Sequence, residues 1–302
     1  MSLPKRIEIT EVGPRDGWQN HKAMIIPTEI KAKYVKKMID AGADKVEVTS
    51  FVNPKAVPQM ANAKDLVALV QPYAKEKGCQ TIGLALNKRG VDDAVAAGVD
   101  YVGFGISVSE EHNKRNSNRT VEASLEDFKN LRQQTEQVPM FLALMCVFGS
   151  PFGDEISLER VVKICEEAKK LGVHDFGLAD TPGLSNPEHT RKVLRYLKNY
   201  LDFDHVSIHL HDTRGMGLAN AYVAMEEGIY KLDGALGAMG GCPFVPGAKG
   251  NIATEDLIYM ANDMGIETKY NLDAAVKTAI EMGEEIHADI TSSMANLCQK
   301  KN

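Results

Sequence analysis

Two histidines stand one residue apart at the end of an alternating stretch, "HVSIHLHDT" (205–213). Side chains two apart on a β-strand project to the same face, so His209 and His211 point together. Charged imidazoles facing one another repel, whereas neutral ones can share a cation. Other polar groups gather where β-like runs end. Glu11, Arg15, Asp16, Gln19 and Asn20 follow the first run, and Glu47 and Ser50 lie in or just after the second. Asn87 and Lys88 follow the third, Ser107 and Ser109 end the fourth, and Asp180 and Thr181 end the sixth. After the eighth comes "GGCPFVPGAKGN" (240–251), carrying Cys242 and Asn251. Taken singly, each has an ordinary reading: an aspartate after a strand is a turn or helix cap. Jointly, a His-x-His pair with a carboxylate and an amide from other strand ends makes an N2O2 donor set for a divalent cation. Such a set suits six-coordinate Mg2+ or Mn2+ with open positions, where a bidentate substrate oxygen pair is polarised. Zinc would favour a tighter nitrogen and sulfur site.

These groups need a frame that brings strand ends together. Strand-like runs at 6–13, 45–51, 80–86, 101–108, 139–148, 175–180, 205–213 and 232–241 alternate with helix-periodic segments, beginning with 27–43 and about 62–77. Several helix patterns close on an Ala-Gly or Leu-Gly pair, a helix stop signal. Eight such units predict a (β/α)8 TIM barrel with a further C-terminal helical segment, in one catalytic domain over residues 1–302. An open doubly wound sheet would place a glycine-rich phosphate turn after its first strand; here "EVGPRDGWQN" stands instead. Barrel active sites lie at the C-terminal strand ends, where the polar set falls.

Composition narrows the partners. With 44% hydrophobic and 25% charged residues among 302, the chain has globular rather than disordered makeup. A net charge of −6 without a long basic cluster argues against nucleic acid. No run nears the ~18 apolar residues of a membrane span. The start "MSLPKRIEIT" has no apolar signal region, which points to the cytoplasm. Five scattered cysteines without CxxC spacing are not a disulfide framework.

The stretches "EVGPRDGWQN", "VEVTSFVNPKAVPQM", "HLHDTRGMGLAN" and "GGCPFVPGAKGNIATED" closely resemble the hydroxymethylglutaryl-CoA lyase family. That family sits within the metal-dependent TIM-barrel lyase and synthase superfamily, with its pyruvate-carboxyltransferase-like domain. The resemblance runs over nearly the whole chain, and the Gly-Gly-Cys loop with Asn nine residues after the Cys favours the lyases over the condensing synthases. It implies cleavage of 3-hydroxy-3-methylglutaryl-CoA to acetyl-CoA and acetoacetate, as in leucine degradation and ketone body formation. The metal ligands it implies are Asp16, His209, His211 and Asn251. It places Arg15 beside the reacting carbonyl, Glu47 in support, and Cys242 on a glycine loop covering an acyl-CoA substrate. It makes Asp180 a residue that either supports the ligands from behind or positions water, and has Glu255 hold the loop and helix after Asn251. It also implies a homodimer. An arginine fixed beside the thioester would stabilise enolate charge, and the Cys242 thiol would protonate the carbanion. Metal-bound water, His209 and Asp16 are each candidates for the base. For the CoA phosphates, "NKRNSNR" (113–119) offers Lys114, Arg115 and Arg119; a solvated basic loop is the other reading.

Three positions depart from the family: Trp18 where it has Leu, and Ala143 and Met145 where it has Tyr and Ser facing the substrate. They suit a longer-branched substrate, as in isohexenylglutaryl-CoA lyases, unless Trp18 fills the space that Ala143 vacates. An acetyl-CoA-dependent synthase acting on a 2-oxo acid is the remaining alternative.

Overall fold

The computed structural model describes residues 3–135, 138–241 and 250–299. Eight parallel strands follow one another around a closed barrel: β1 (Glu8–Glu11), β2 (Lys45–Ser50), β3 (Gln80–Ala85), β4 (Tyr101–Ser107), β5 (Met140–Met145), β6 (Asp175–Asp180), β7 (Val206–Leu210) and β8 (Lys231–Gly234). Pairing of β1 with β8, Glu8 opposite Lys231, closes the ring. Alternation divides each strand between two environments. In β2, Val46 and Val48 are buried, while Lys45 and Glu47 line the central cavity. A bulge between Glu47 and Thr49 breaks the period where β2 reaches the barrel mouth.

Helices α1 (Thr28–Ala41), α2 (Ala63–Lys77) and α3 (Lys88–Ala97) follow β1, β2 and β3. After β4 and β5 come α4 (Glu110–Ser117), α5 (Val121–Gln134) and α6 (Leu158–Lys170); β6, β7 and β8 are followed by α7 (Pro187–Leu197), α8 (Gly217–Glu227) and α9 (Thr254–Asp263). Two more, α10 (Leu272–Ile286) and α11 (Ser293–Gln299), form the C-terminal helical segment. Their ends follow side-chain chemistry. Asn87, Ser157 and Asn271 cap α3, α6 and α10 by accepting from the amides three residues on. Helix α1 stops at Gly42, whose φ of 111° only glycine adopts readily. A Cβ there would stand 2.3 Å from the Lys269 carbonyl oxygen. Helix α10 returns to α1, where the Tyr34 hydroxyl donates to the Glu281 carbonyl at 2.9 Å. Among the described residues no helix is long and apolar enough to cross a membrane.

Three local expectations are corrected. The fifth strand ends at Met145 rather than 148, because Cys146 turns to a φ of 63°. Its amide is taken by the Thr181 hydroxyl. The eighth strand covers Lys231–Gly234 and breaks into a 3-10 turn, Leu236–Ala238, within the 232–241 run. The basic stretch 113–119 is largely helical, on α4 and its C-cap, rather than a loop. Ser109 caps that helix by accepting from the His112 amide.

Candidate active site

After β1 the chain winds into one π-helical turn, Gly13–Gly17, whose amides converge on the Val12 carbonyl: Asp16 N at 2.8 Å and Arg15 N at 3.1 Å. This wide turn puts two consecutive charged side chains at the barrel mouth. Arg15 Nε donates to Glu47 Oε2 at 2.7 Å, and Arg15 Nη1 donates to Asp16 Oδ1 at 2.5 Å. Gln19 donates to the same Asp16 oxygen at 2.8 Å. Burial works to raise the Asp16 pKa, but Arg15 and the two imidazoles outweigh it and hold the carboxylate well below its usual range.

On the far side, β7 carries His209 and the chain just beyond it carries His211. Their Nε2 atoms are 3.0 Å apart, and His211 Nε2 is 3.5 Å from Asp16 Oδ2. His209 Nδ1 meets Asp233 Oδ2 of β8 at 3.1 Å. Burial disfavours the charged imidazole of His209, yet this bond and the Asp16 charge raise its pKa. Asn251 bridges to His211 along the backbone, and its Nδ2 donates to Asp16 Oδ2 at 2.8 Å and to the Met239 carbonyl at 3.0 Å.

Donor chemistry fits a cation. The ligand atoms of Asp16, His209 and His211 lie within 4.8 Å of one another. Asn251 Oδ1 is buried with no hydrogen-bond partner among the described residues, an arrangement that is costly unless something electropositive meets it. Two imidazole nitrogens 3.0 Å apart with a carboxylate and a bare amide oxygen are the N2O2 set read from sequence. These residues could hold a divalent ion, with Asp233 fixing the His209 tautomer from behind.

The remaining candidates divide. Glu47 is buried against Arg15. Arg115 and Arg119 line the cavity mouth; Arg115 lies over the Phe152 ring at 4.2 Å and Arg119 pairs with Asp127 at 2.7 Å. Lys114 is exposed and does not line the cavity. Asp180 is buried at the end of β6. Both its oxygens accept backbone amides, from Leu184 at 3.0 Å and Ser185 at 2.9 Å. It does not line the cavity. Glu255 accepts from the Gly237 amide at 3.0 Å and from the Ser292 hydroxyl. It thereby ties the turn after β8 to the C-terminal segment. Cys242 lies outside the described residues.

Asp233 was not among the residues singled out in the sequence. Its signal was alternation: Lys231 and Asp233 are two apart on a barrel strand and both face inward. Starting the strand at 232 hid the pair. Trp18 is fully buried and does not line the cavity, so the space beside Ala143 is left open.

The family model described as HMGL-like matches residues 6–280. The hydroxymethylglutaryl-CoA lyase YngG of Bacillus subtilis is 34% identical over 294 residues, 97% of each chain. The mitochondrial hydroxymethylglutaryl-CoA lyase of Mus musculus is 34% identical over 97% of this chain and 90% of its own. Among solved structures, an HMG-CoA lyase from Acinetobacter baumannii, in complex with coenzyme A and 3-methylmalate, superposes with a TM-score of 0.92. It is 32% identical, over 98% of this chain and 96% of that one.

Proposed function

The chain belongs to the HMGL-like family, and from that premise we propose how its residues perform the lyase reaction. It is a carbon–carbon lyase that cleaves 3-hydroxy-3-methylglutaryl-CoA to acetyl-CoA and acetoacetate. One observation carries the assignment of roles: Asp16, His209 and His211 converge within 4.8 Å beside a buried Asn251 oxygen that has no hydrogen-bond partner among the described residues.

Those four residues would hold Mg2+ or Mn2+, which when bound supplies Lewis-acid polarisation of the substrate's 3-hydroxyl and carboxylate oxygens. Loss of the hydroxyl proton turns C3 into a ketone as the C2–C3 bond breaks, and the bond's electron pair passes to the thioester enolate. Asp16 is a poor proton acceptor, because Arg15, Gln19 and Asn251 occupy its oxygens, and Arg15 with the two imidazoles outweighs burial and holds its pKa down. That leaves solvent in the site, because a His209 that ligates through Nε2 and holds its Nδ1 proton on Asp233 has no lone pair free. Arg15 spends Nε and Nη1 on Glu47 and Asp16, so Nη2 is left to donate to the enolate oxygen. Glu47 keeps the guanidinium from swinging away. Cys242 protonates the departing carbanion in this reading. Arg115 and Arg119 at the mouth receive the CoA phosphates, and Lys114 contributes only long-range charge.

The same reading gives one catalytic domain, acting in the cytoplasm as a homodimer, with an acyl-CoA as its partner. The test is a cleavage assay. The chelated protein should be inactive on 3-hydroxy-3-methylglutaryl-CoA and regain acetyl-CoA release with Mn2+ or Mg2+. Free CoA released from acetyl-CoA plus a 2-oxo acid, with no cleavage, would instead make it a condensing synthase.

A further inference from the structure

A cavity of about 710 Å³ opens at the metal-ligand cluster and continues into the barrel. Closed barrels of this size ordinarily fill their interior with layers of branched side chains. Here one level is nearly bare. Gly105, Ala143, Gly177 and Ser207 stand opposite one another in register across β4, β5, β6 and β7. One step above, Ala179 is paired with His209, so the bare level lies directly under the candidate metal site. Below it, the Phe141 ring stands against Gly103 and Gly177 and narrows the cavity, which continues past it to Tyr101, Asp175, His205 and Lys231. A Cβ on Gly103 would stand 2.8 Å from that ring and 3.2 Å from Leu84, which shows how far the two side chains extend over β4. Met145 and Leu86 close the side above Gly105.

On the β4–β6 side the space is therefore lined by Gly105, Ala143, Gly177, Phe141 and Leu86, an apolar wall continuous with the reacting centre. Its opposite wall, with Thr10, Glu47 and Asp233, is polar. A substrate held by its oxygens at the metal cluster, with CoA running out past Arg115 and Arg119, has one group left to point inward: the substituent on C3. A methyl group would leave most of the recess empty, and empty apolar space forgoes contact and hydrophobic energy.

We propose that the recess under the metal site binds a hydrocarbon C3 branch longer than methyl, making longer 3-hydroxy-3-alkylglutaryl-CoA thioesters the preferred substrates. The inference rests on the lyase reading above and adds the specificity of the same site.

The experiment measures kcat/KM, with Mn2+ present, for a series whose C3 branch runs from methyl through butyl to hexyl. Values are expected to rise about 4-fold per added methylene until the recess is full. Ala143→Leu, which fills the bare level, should lower the hexyl-to-methyl ratio at least 10-fold, and Ala143→Val should do so less. Thermal unfolding and Mn2+ affinity of both variants check that they are folded. A wild-type series that falls from methyl onward overturns the inference and leaves the lyase reading intact. A ratio unmoved in well-folded variants overturns the location. No cleavage of any member with metal present overturns the lyase reading itself.

Discussion

His209 Nδ1 and Asp233 Oδ2, on adjacent strands, are 3.1 Å apart. The carboxylate therefore fixes the proton on Nδ1 and leaves the Nε2 lone pair facing His211 and Asp16. A free imidazole divides its proton between two tautomers, and only one of them can ligate through Nε2.

Asp233→Asn removes the acceptor charge but keeps the shape. Mn2+ affinity is expected to fall about 10–100-fold, with little change in folding stability. Isothermal titration with Mn2+ measures it; unchanged affinity would separate Asp233 from the metal ligands.

Arg15→Met leaves Glu47 and Asp16 without the guanidinium between them. Turnover should fall about 10²–10³-fold, the usual cost of one charge-stabilising donor, while Mn2+ affinity changes far less. Steady-state kinetics beside metal titration separate the two effects. A wild-type kcat would exclude Arg15 from charge stabilisation.

Cys242→Ala should abolish most turnover and leave Mn2+ affinity and thermal stability intact, as expected of a proton donor that is not a ligand. Undiminished acetyl-CoA formation would assign the protonation to another group.

Stability should fall as pH rises from 5 to 8. Burial pushes Glu255 from an ordinary 4.5 up to about 8, and Glu11 up to about 7. The folded chain thus keeps protons that the unfolded chain has already lost above 4.5. A raised folded pKa contributes stability present in full below 4.5 and lost as pH climbs through 7 to 8, at about 1.4 kcal/mol per pH unit for each proton. Glu255→Gln, neutral at every pH, should flatten part of the decline in Tm between pH 5 and 8. An identical slope would show that Glu255 ionises in the folded state as it does in the unfolded one.

Much of the frame was legible because its signals are local. The 3.6-residue period of "AKYVKKMIDAG" and its Ala-Gly stop act within a few residues of themselves. The His-x-His pair was legible for the same reason, since strand geometry alone puts both rings on one side. Strand ends were less so: Cys146 and the turn at Leu236–Ala238 bend the chain through contacts with Thr181 and Glu255, tens of residues away in one case. Asp180 shows the converse, a residue at the right strand end whose oxygens are claimed by its own turn.

The sequence by itself determined the alternation of strand and helix, the cluster of polar residues at strand ends, and the chemistry those residue types allow. Periodicity and residue type are properties of neighbours along the chain, so a linear reading suffices for them. Only the tertiary structure decided that Asp233 stands behind His209, that Asp180 takes the amides of Leu184 and Ser185, and that Gly105, Ala143, Gly177 and Ser207 meet at one level beneath the site. Those relations depend on the register of strands far apart in sequence, which exists only once the barrel has closed.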